Sequence, residues 1–91
     1  MREFPENIKA YKRTEIFTRQ SIPTGLLKDH RVAEGVWAKL VVLEGSLTYV
    51  IQEPMLERVE LMPDRFGVIE PGICHYVIPH EGVRFYVEFY K

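Results

Sequence analysis

Histidine offers the most versatile chemistry in this sequence of 91 residues, which contains His30, His75 and His80. A neutral imidazole can bind a divalent transition metal through either of its ring nitrogens. His75 follows the dipeptide Pro71-Gly72, whose tight turn delivers it to the start of a predicted strand. His30 precedes a long predicted hairpin. If rigid strands on facing sheets hold His30 and His75, their imidazoles form a metal site.

Each histidine also has a simpler interpretation, which the sequence leaves open. His75 could be a half-buried imidazole that hydrogen-bonds to a neighbouring backbone carbonyl, and His30 a polar residue at a strand entrance. His80 lies in the hairpin tip at residues 79–82, so we expect it to be solvated. Asp29 is expected to be exposed, because adjacent residues on a strand point to opposite faces.

The single cysteine, Cys74, precedes His75 and is expected to point its sulfur away from the pocket. We interpret it as a small buried apolar residue, since a thiolate nucleophile needs a cationic or histidine neighbour that the sequence does not reveal. No phosphate-binding loop, nucleophile elbow or Cys-x-x-Cys motif occurs. The sequence therefore identifies no catalytic residue.

The elements that position these side chains are predicted to be strands. Helical periodicity is scarce, because no window of a dozen residues keeps apolar positions at i, i+3, i+4 and i+7 without a Pro or Gly interrupting it. Residues 83–90 alternate between an apolar face and a more polar face, which is typical of a strand with one dry side. Further strands are predicted at residues 36–43, 47–52, 56–61, 66–69 and 75–78, with an edge strand that bends within residues 8–17.

Composition limits the classes of function. Twelve Lys and Arg against thirteen Asp and Glu give a formal net charge of −1, so no basic surface for nucleic acid or anionic membranes is indicated. No apolar run is long enough to span a membrane, and Met1 to Pro5 lack the character of a signal peptide. One cysteine allows no internal disulfide, so the cytoplasm is the expected location. The length predicts a single domain over residues 1–91.

Strands that recur about every 8–12 residues favour an all-β sandwich or barrel. Seven or eight short strands, without the cysteine pair of an immunoglobulin domain, fit a double-sheet jelly roll. Such a fold leaves a cavity between its sheets, and the polar residues that point into it determine the function.

Two groups of residues form recognisable motifs. The first group is His30, Gly35, Trp37, Lys39, Leu40, Val42, Leu43, Gly45, Leu47 and Tyr49, and the second is residues 66–71 with His75, Phe89 and Tyr90. Together they resemble the motifs of the small cupin family and, more narrowly, the domain found at the N-terminus of bacterial tellurite-resistance methyltransferases and as free-standing small proteins. The resemblance implies a cupin double-stranded β-helix, which is a jelly-roll barrel, and a homodimer in a tellurite or oxyanion context. The resemblance also implies that the methyltransferase half is missing, so we assign no S-adenosylmethionine site.

The sequence departs from the general cupin ligand pattern. Ala38 stands where the cupin glutamate is expected, and Glu34 falls near a position of the paired histidines. The resemblance therefore leaves His30 and His75 as metal ligands, with Glu34 or Glu88 as a third. Glu88 becomes a ligand only if the polar face of the last strand lines the barrel, and otherwise it is solvated.

Imidazole and carboxylate ligands together suit zinc, iron, nickel or copper. One interpretation is a metal-binding cupin that recognises or transforms a small molecule or oxyanion. A second is a non-enzymatic binding or sensory module, and a third is a structural dimer with a vestigial pocket. The loss of the cupin glutamate at Ala38 favours binding over catalysis, while enzymatic activity stays open.

Overall fold

The computed structural model describes all residues from Met1 to Lys91, which form eight strands and one short 3-10 helix. The strands are β1 (Ala10–Arg13), β2 (Phe17–Thr18), β3 (Trp37–Glu44), β4 (Leu47–Ile51), β5 (Glu57–Leu61), β6 (Gly67–Ile69), β7 (His75–Pro79) and β8 (Arg84–Tyr90), and the 3-10 helix is Thr24–Leu27. The predicted strands are confirmed, and the bend expected within residues 8–17 separates β1 from β2. No helix is long and apolar enough to cross a membrane.

The strands form two antiparallel sheets. The larger sheet has the order β1-β8-β3-β6, with β2 also paired to β8, and the smaller sheet has the order β5-β4-β7. The all-β class expected from the sequence is therefore confirmed. The two sheets do not close into a barrel, so the structure establishes the coarser two-sheet architecture.

The core lies between the sheets because alternate residues of each strand face inward. In β8, Phe85 and Val87 are buried, while the residues between them remain partly exposed. From the smaller sheet, Leu47 and Val77 pack into the same cluster of 16 buried hydrophobic residues. Each such side chain contributes about 1.5–3 kcal/mol by leaving water, so the dry face predicted for residues 83–90 stabilises the sandwich.

The turn between β3 and β4 depends on glycine. Gly45 has a φ of +73°, and a Cβ at this position would lie 3.0 Å from the Cα of Val83. Only glycine adopts this backbone conformation without strain and also permits the close approach.

The outer face of the larger sheet carries an aromatic cluster around a lysine. The ammonium nitrogen of Lys39 lies 4.6 Å from the ring centre of Phe4, 4.7 Å from that of Phe66 and 5.1 Å from that of Tyr90. Trp37 lies on the same face and meets Phe4 edge to face at 6.2 Å. This face is thus packed by cation–π contacts, and the candidate site lies on the opposite side of the sheet.

Candidate functional site

Backbone pairing brings His30 and His75 together although they lie 45 residues apart in the sequence. They form an isolated antiparallel bridge, in which the amide of His30 donates to the carbonyl of His75 at 2.7 Å and the amide of His75 donates back at 2.9 Å. On its other side, His75 pairs with Ile51 of β4. Gly72, with a φ of +70°, turns the chain toward β7, and its amide donates to the carbonyl of Val32. The backbone therefore fixes both histidines.

The two rings face each other through one nitrogen each. Nδ1 of His30 lies 3.4 Å from Nε2 of His75, and the ring planes meet at 78°. Nδ1 of His75 lies 3.2 Å from the carbonyl oxygen of Ile73. Because a carbonyl only accepts, Nδ1 of His75 carries the proton and Nε2 of the neutral ring has a lone pair. His30 therefore donates from Nδ1 to His75. Its own Nε2 makes no hydrogen bond within the chain and is accessible to solvent, because no buried side-chain nitrogen lacks a partner.

Burial keeps both imidazoles neutral. The side chain of His75 is fully buried, and burial lowers its pKa to about 4. His30 is half-buried, and burial lowers its pKa as well. Desolvation penalises the charged form of a histidine, so each ring presents lone pairs rather than a cation at neutral pH. Neutral rings are the form that binds a metal.

The ring of Tyr49 of β4 packs against the ring of His75. The two rings meet edge to face with their centres 5.6 Å apart. The hydroxyl of Tyr49 donates to the carbonyl of Val68 at 2.9 Å, and burial raises its pKa. This tyrosine is therefore a neutral packing residue with its donor already in use.

The two glutamates considered as third ligands lie away from the histidine pair. Glu88 accepts hydrogen bonds from the hydroxyl of Tyr90 at 2.7 Å and from the guanidinium of Arg13 at 3.1 Å, which hold its pKa below the usual range. Glu34 is exposed beside Gly72. No three His, Cys, Asp or Glu side chains lie together as a metal-ligand group. The structure brings the two histidines together and adds neither glutamate to them.

Residues 12–87 match the family model of the TehB-like domain. The chain belongs to the TehB-like domain family. No curated protein matches the sequence.

Two solved structures resemble this TehB-like domain in fold. A crystal structure of an Escherichia coli K12 protein superposes with a TM-score of 0.88 at 20% identity and covers 100% of this chain and 97% of its own. TehB from Haemophilus influenzae gives a TM-score of 0.84 at 23% identity over 91% of this chain. The matched region is only 31% of that TehB chain. At these identities the comparison establishes the fold alone.

A polar cluster beside the histidine pair secures the loop of the TehB-like domain that leads into β7. Arg31 donates to the carbonyl of Gly72 at 2.7 Å and forms an ion pair with Glu53. Glu53 accepts from the amide of Cys74 at 2.9 Å. The thiol of Cys74 donates to Oε1 of Gln52 at 3.2 Å, and burial raises its pKa. Cys74 is thus a buried, protonated thiol, as its sequence position suggested.

Two cavities of the TehB-like domain meet at His30. They share Val32 and Phe89 as walls. The larger, of about 250 Å³, also contacts Lys12 and Arg31. The smaller, of about 190 Å³, is enclosed mainly by apolar side chains. His30 therefore lines both cavities, whereas His75 lines neither.

Sequence reasoning found the two histidines and missed their surroundings. The carbonyl of Ile73 has no sequence signature, because every residue has a carbonyl and only the turn geometry aims this one at His75. Tyr49 was noted as part of a family motif, and its contact with His75 depends on the pairing of β4 with β7. The His30–His75 backbone bridge is also a long-range contact that local periodicity does not encode.

Proposed function

We propose that this TehB-like domain is a binding module that holds a divalent transition metal ion between His30 and His75 and captures a small molecule or an oxyanion there. The observation that carries the proposal is the distance of 3.4 Å between Nδ1 of His30 and Nε2 of His75. Two nitrogens that are each about 2.0–2.1 Å from a tetrahedral ion lie about 3.4 Å apart. The pair therefore has the spacing of two ligands on one ion.

The environment of the two rings supports this role. Nε2 of His75 has a lone pair, and the hydrogen bond from its Nδ1 to the carbonyl of Ile73 orients the ring in the way that ligand imidazoles are held. His30 frees Nδ1 for the ion when its proton moves to Nε2. Because burial lowers the pKa of both rings, no cationic imidazole has to lose a proton at neutral pH. Two imidazoles leave the other coordination positions to water or to a ligand.

Zinc, iron and nickel are the metals we propose for this site, since imidazole is a ligand for all of them. The larger cavity beside His30 has Lys12 in its wall, whose positive charge favours an anionic ligand. Arg31 also lines this cavity, and Glu53 balances its charge. Together with the family relationship, this supports an oxyanion and the tellurite-resistance context. The ligand set lacks a protein carboxylate, which favours binding over metal-dependent catalysis.

The finer features of the fold and its setting belong to the same proposal. Eight antiparallel strands in two sheets support a cupin jelly roll. The aromatic outer face around Lys39 and Trp37 supports a homodimer, because aromatic residues are enriched at subunit interfaces. A single buried free thiol, Cys74, is compatible with a cytoplasmic protein.

Metal content tests the central claim. The protein is purified without chelator, supplied with Zn²⁺, Fe²⁺ or Ni²⁺ in separate samples, dialysed and analysed for metal. We expect about one equivalent per chain in the wild type and in His80→Ala, the matched control that removes the third histidine. His30→Ala and His75→Gln should retain none, provided that circular dichroism shows them folded. Absence of metal from the wild type, or retention by both folded variants, would overturn the metal site and leave the metal-free binding module or the structural dimer.

A further inference from the structure

We infer that the smaller cavity beside His30 binds a small, mainly apolar molecule with one hydroxyl or N–H group, which donates to Nε2 of His30. The inference rests on the proposed binding function of this site, and it names a ligand class distinct from an oxyanion. It concerns the cavity of about 190 Å³ between the larger sheet and the 3-10 helix with the segment that follows it. It applies to the metal-free protein, in which Nδ1 of His30 keeps its proton, because a metal ion on Nδ1 would move that proton to Nε2.

The cavity walls determine the class of ligand. Besides His30, the lining is mainly apolar and includes Phe17, Leu26, Val32, Ile69, Val87 and Phe89. No lysine, arginine or acidic residue lines it. An anion that entered would lose its hydration without an opposite charge in return, and that cost is large. An apolar cavity of about 150 Å³ is known to stay dry and accept benzene, so this one has room for a single six-membered ring with a substituent.

The polar group of the ligand has one available partner. Thr14 also lines the cavity, and its hydroxyl donates to the carbonyl of Glu15 at 2.8 Å and accepts from the amide of Val87 at 3.0 Å. Its hydrogen bonds are thus provided by the backbone. Nε2 of His30 is the ring nitrogen without a partner in the chain, and a ligand in the cavity that His30 lines would take the place of water by donating to it.

The direction of that hydrogen bond follows from the histidine pair. Nδ1 of His75 donates to the carbonyl of Ile73, so Nε2 of His75 accepts from Nδ1 of His30. The proton of the neutral His30 ring is therefore on Nδ1, and Nε2 has the lone pair. A molecule that can only accept leaves this lone pair unpaired. The cavity accordingly selects a hydroxyl or N–H donor such as a phenol or an alcohol.

Phenol and toluene are matched probes, since they have the same shape and differ by a hydroxyl in place of a methyl group. Binding to chelator-treated protein is followed by NMR, using the methyl signals of Val32, Ile69 and Val87 to locate each probe. We expect both probes to shift these signals in the wild type and in His80→Ala. In His30→Leu, phenol should bind about tenfold more weakly while toluene stays within about twofold, the size expected for one hydrogen bond.

A cavity-filling variant tests the location. Val32→Phe should abolish binding of both probes, because the larger ring occupies the space shared by the cavity walls. The inference is overturned if phenol and toluene weaken equally in His30→Leu, if neither shifts the three methyl signals in the wild type, or if sodium tellurite displaces phenol. Both histidines remain in Val32→Phe, so its metal content is expected to equal that of the wild type. Failure of the metal test and failure of the probe test are thereby distinguished.

Discussion

The two ends of β7 each have a histidine, and the fold treats them differently. His75 is the first residue of the strand and is fully buried. Its ring hydrogen-bonds only to a backbone carbonyl and to another imidazole. His80, just after the last residue, is partly exposed, and its Nε2 lies 3.3 Å from Glu60 and 2.7 Å from the hydroxyl of Thr48. One imidazole is kept as a neutral base in the interior, and the other is solvated beside a carboxylate. The surroundings therefore decide the chemistry of the residue.

The largest difference in unfolding free energy should appear when His75 and His80 are each replaced by alanine. His75→Ala leaves a cavity and deprives the Ile73 carbonyl and Nδ1 of His30 of their partner, so we expect a loss of about 2–4 kcal/mol in unfolding free energy. His80→Ala should cost less than about 0.5 kcal/mol. Urea unfolding at pH 7 measures both. Equal losses of unfolding free energy in the two variants would show that the buried and the exposed histidine contribute equally to stability.

The second largest effect should be a loss of unfolding free energy through His75 when the pH is lowered. The pKa of His75 is about 4 in the folded protein, against an ordinary value of 6.5. The unfolded chain therefore takes up a proton below pH 6.5 that the native state refuses, and stability falls as the pH approaches 4. Between pH 7 and 4.5 this histidine alone should account for a loss of about 2–3 kcal/mol. His75→Gln should lack this component in urea unfolding at the two pH values, whereas His80→Ala should retain it.

A smaller effect is expected from the partner of the buried ring. His30→Leu removes the donor to Nε2 of His75, and an unpaired buried acceptor costs about 1–2 kcal/mol. Thermal unfolding at pH 7 should register the loss as a lower midpoint. A midpoint equal to that of the wild type would mean that the 3.4 Å contact contributes nothing to stability.

The smallest effect belongs to the exposed end. Glu60 and His80 are both substantially solvated, and surface ion pairs contribute about 0–1 kcal/mol. We expect Glu60→Gln to change the unfolding free energy by less than about 0.5 kcal/mol at pH 6. Added salt should reduce any difference further, since it screens exposed charges. A loss of unfolding free energy comparable to that of His75→Ala would show that the contact between Glu60 and His80 contributes strongly to stability.

The sequence predicted the strands well because their signal is local. Alternation in residues 83–90 places Phe85 and Val87 in the core, and the turn glycines Gly45 and Gly72 have the positive φ angles expected of them. The exposed setting of Asp29 also followed from local reasoning. These features depend on neighbours one or two residues away, which a sequence displays directly.

The candidate site was predicted only in part because its contacts are long-range. His30 and His75 were identified from their types and flanking turns, while the bridge between them spans 45 residues. Glu88 remained ambiguous until the sheet fixed which face of β8 turns outward, and there it binds Arg13. Glu34 resembled a ligand by its position in a motif, and its backbone path carries it to the surface instead.

The carbonyl of Ile73 has a consequence beyond the residue it touches. It accepts from His75, which accepts from His30, so the dipoles of successive members are aligned. Aligned hydrogen bonds polarise one another and strengthen cooperatively in a low-dielectric interior. A ligand that donates a hydrogen bond to Nε2 of His30 would strengthen both hydrogen bonds that follow it in this series. Ligand binding at His30 would therefore rigidify the buried start of β7.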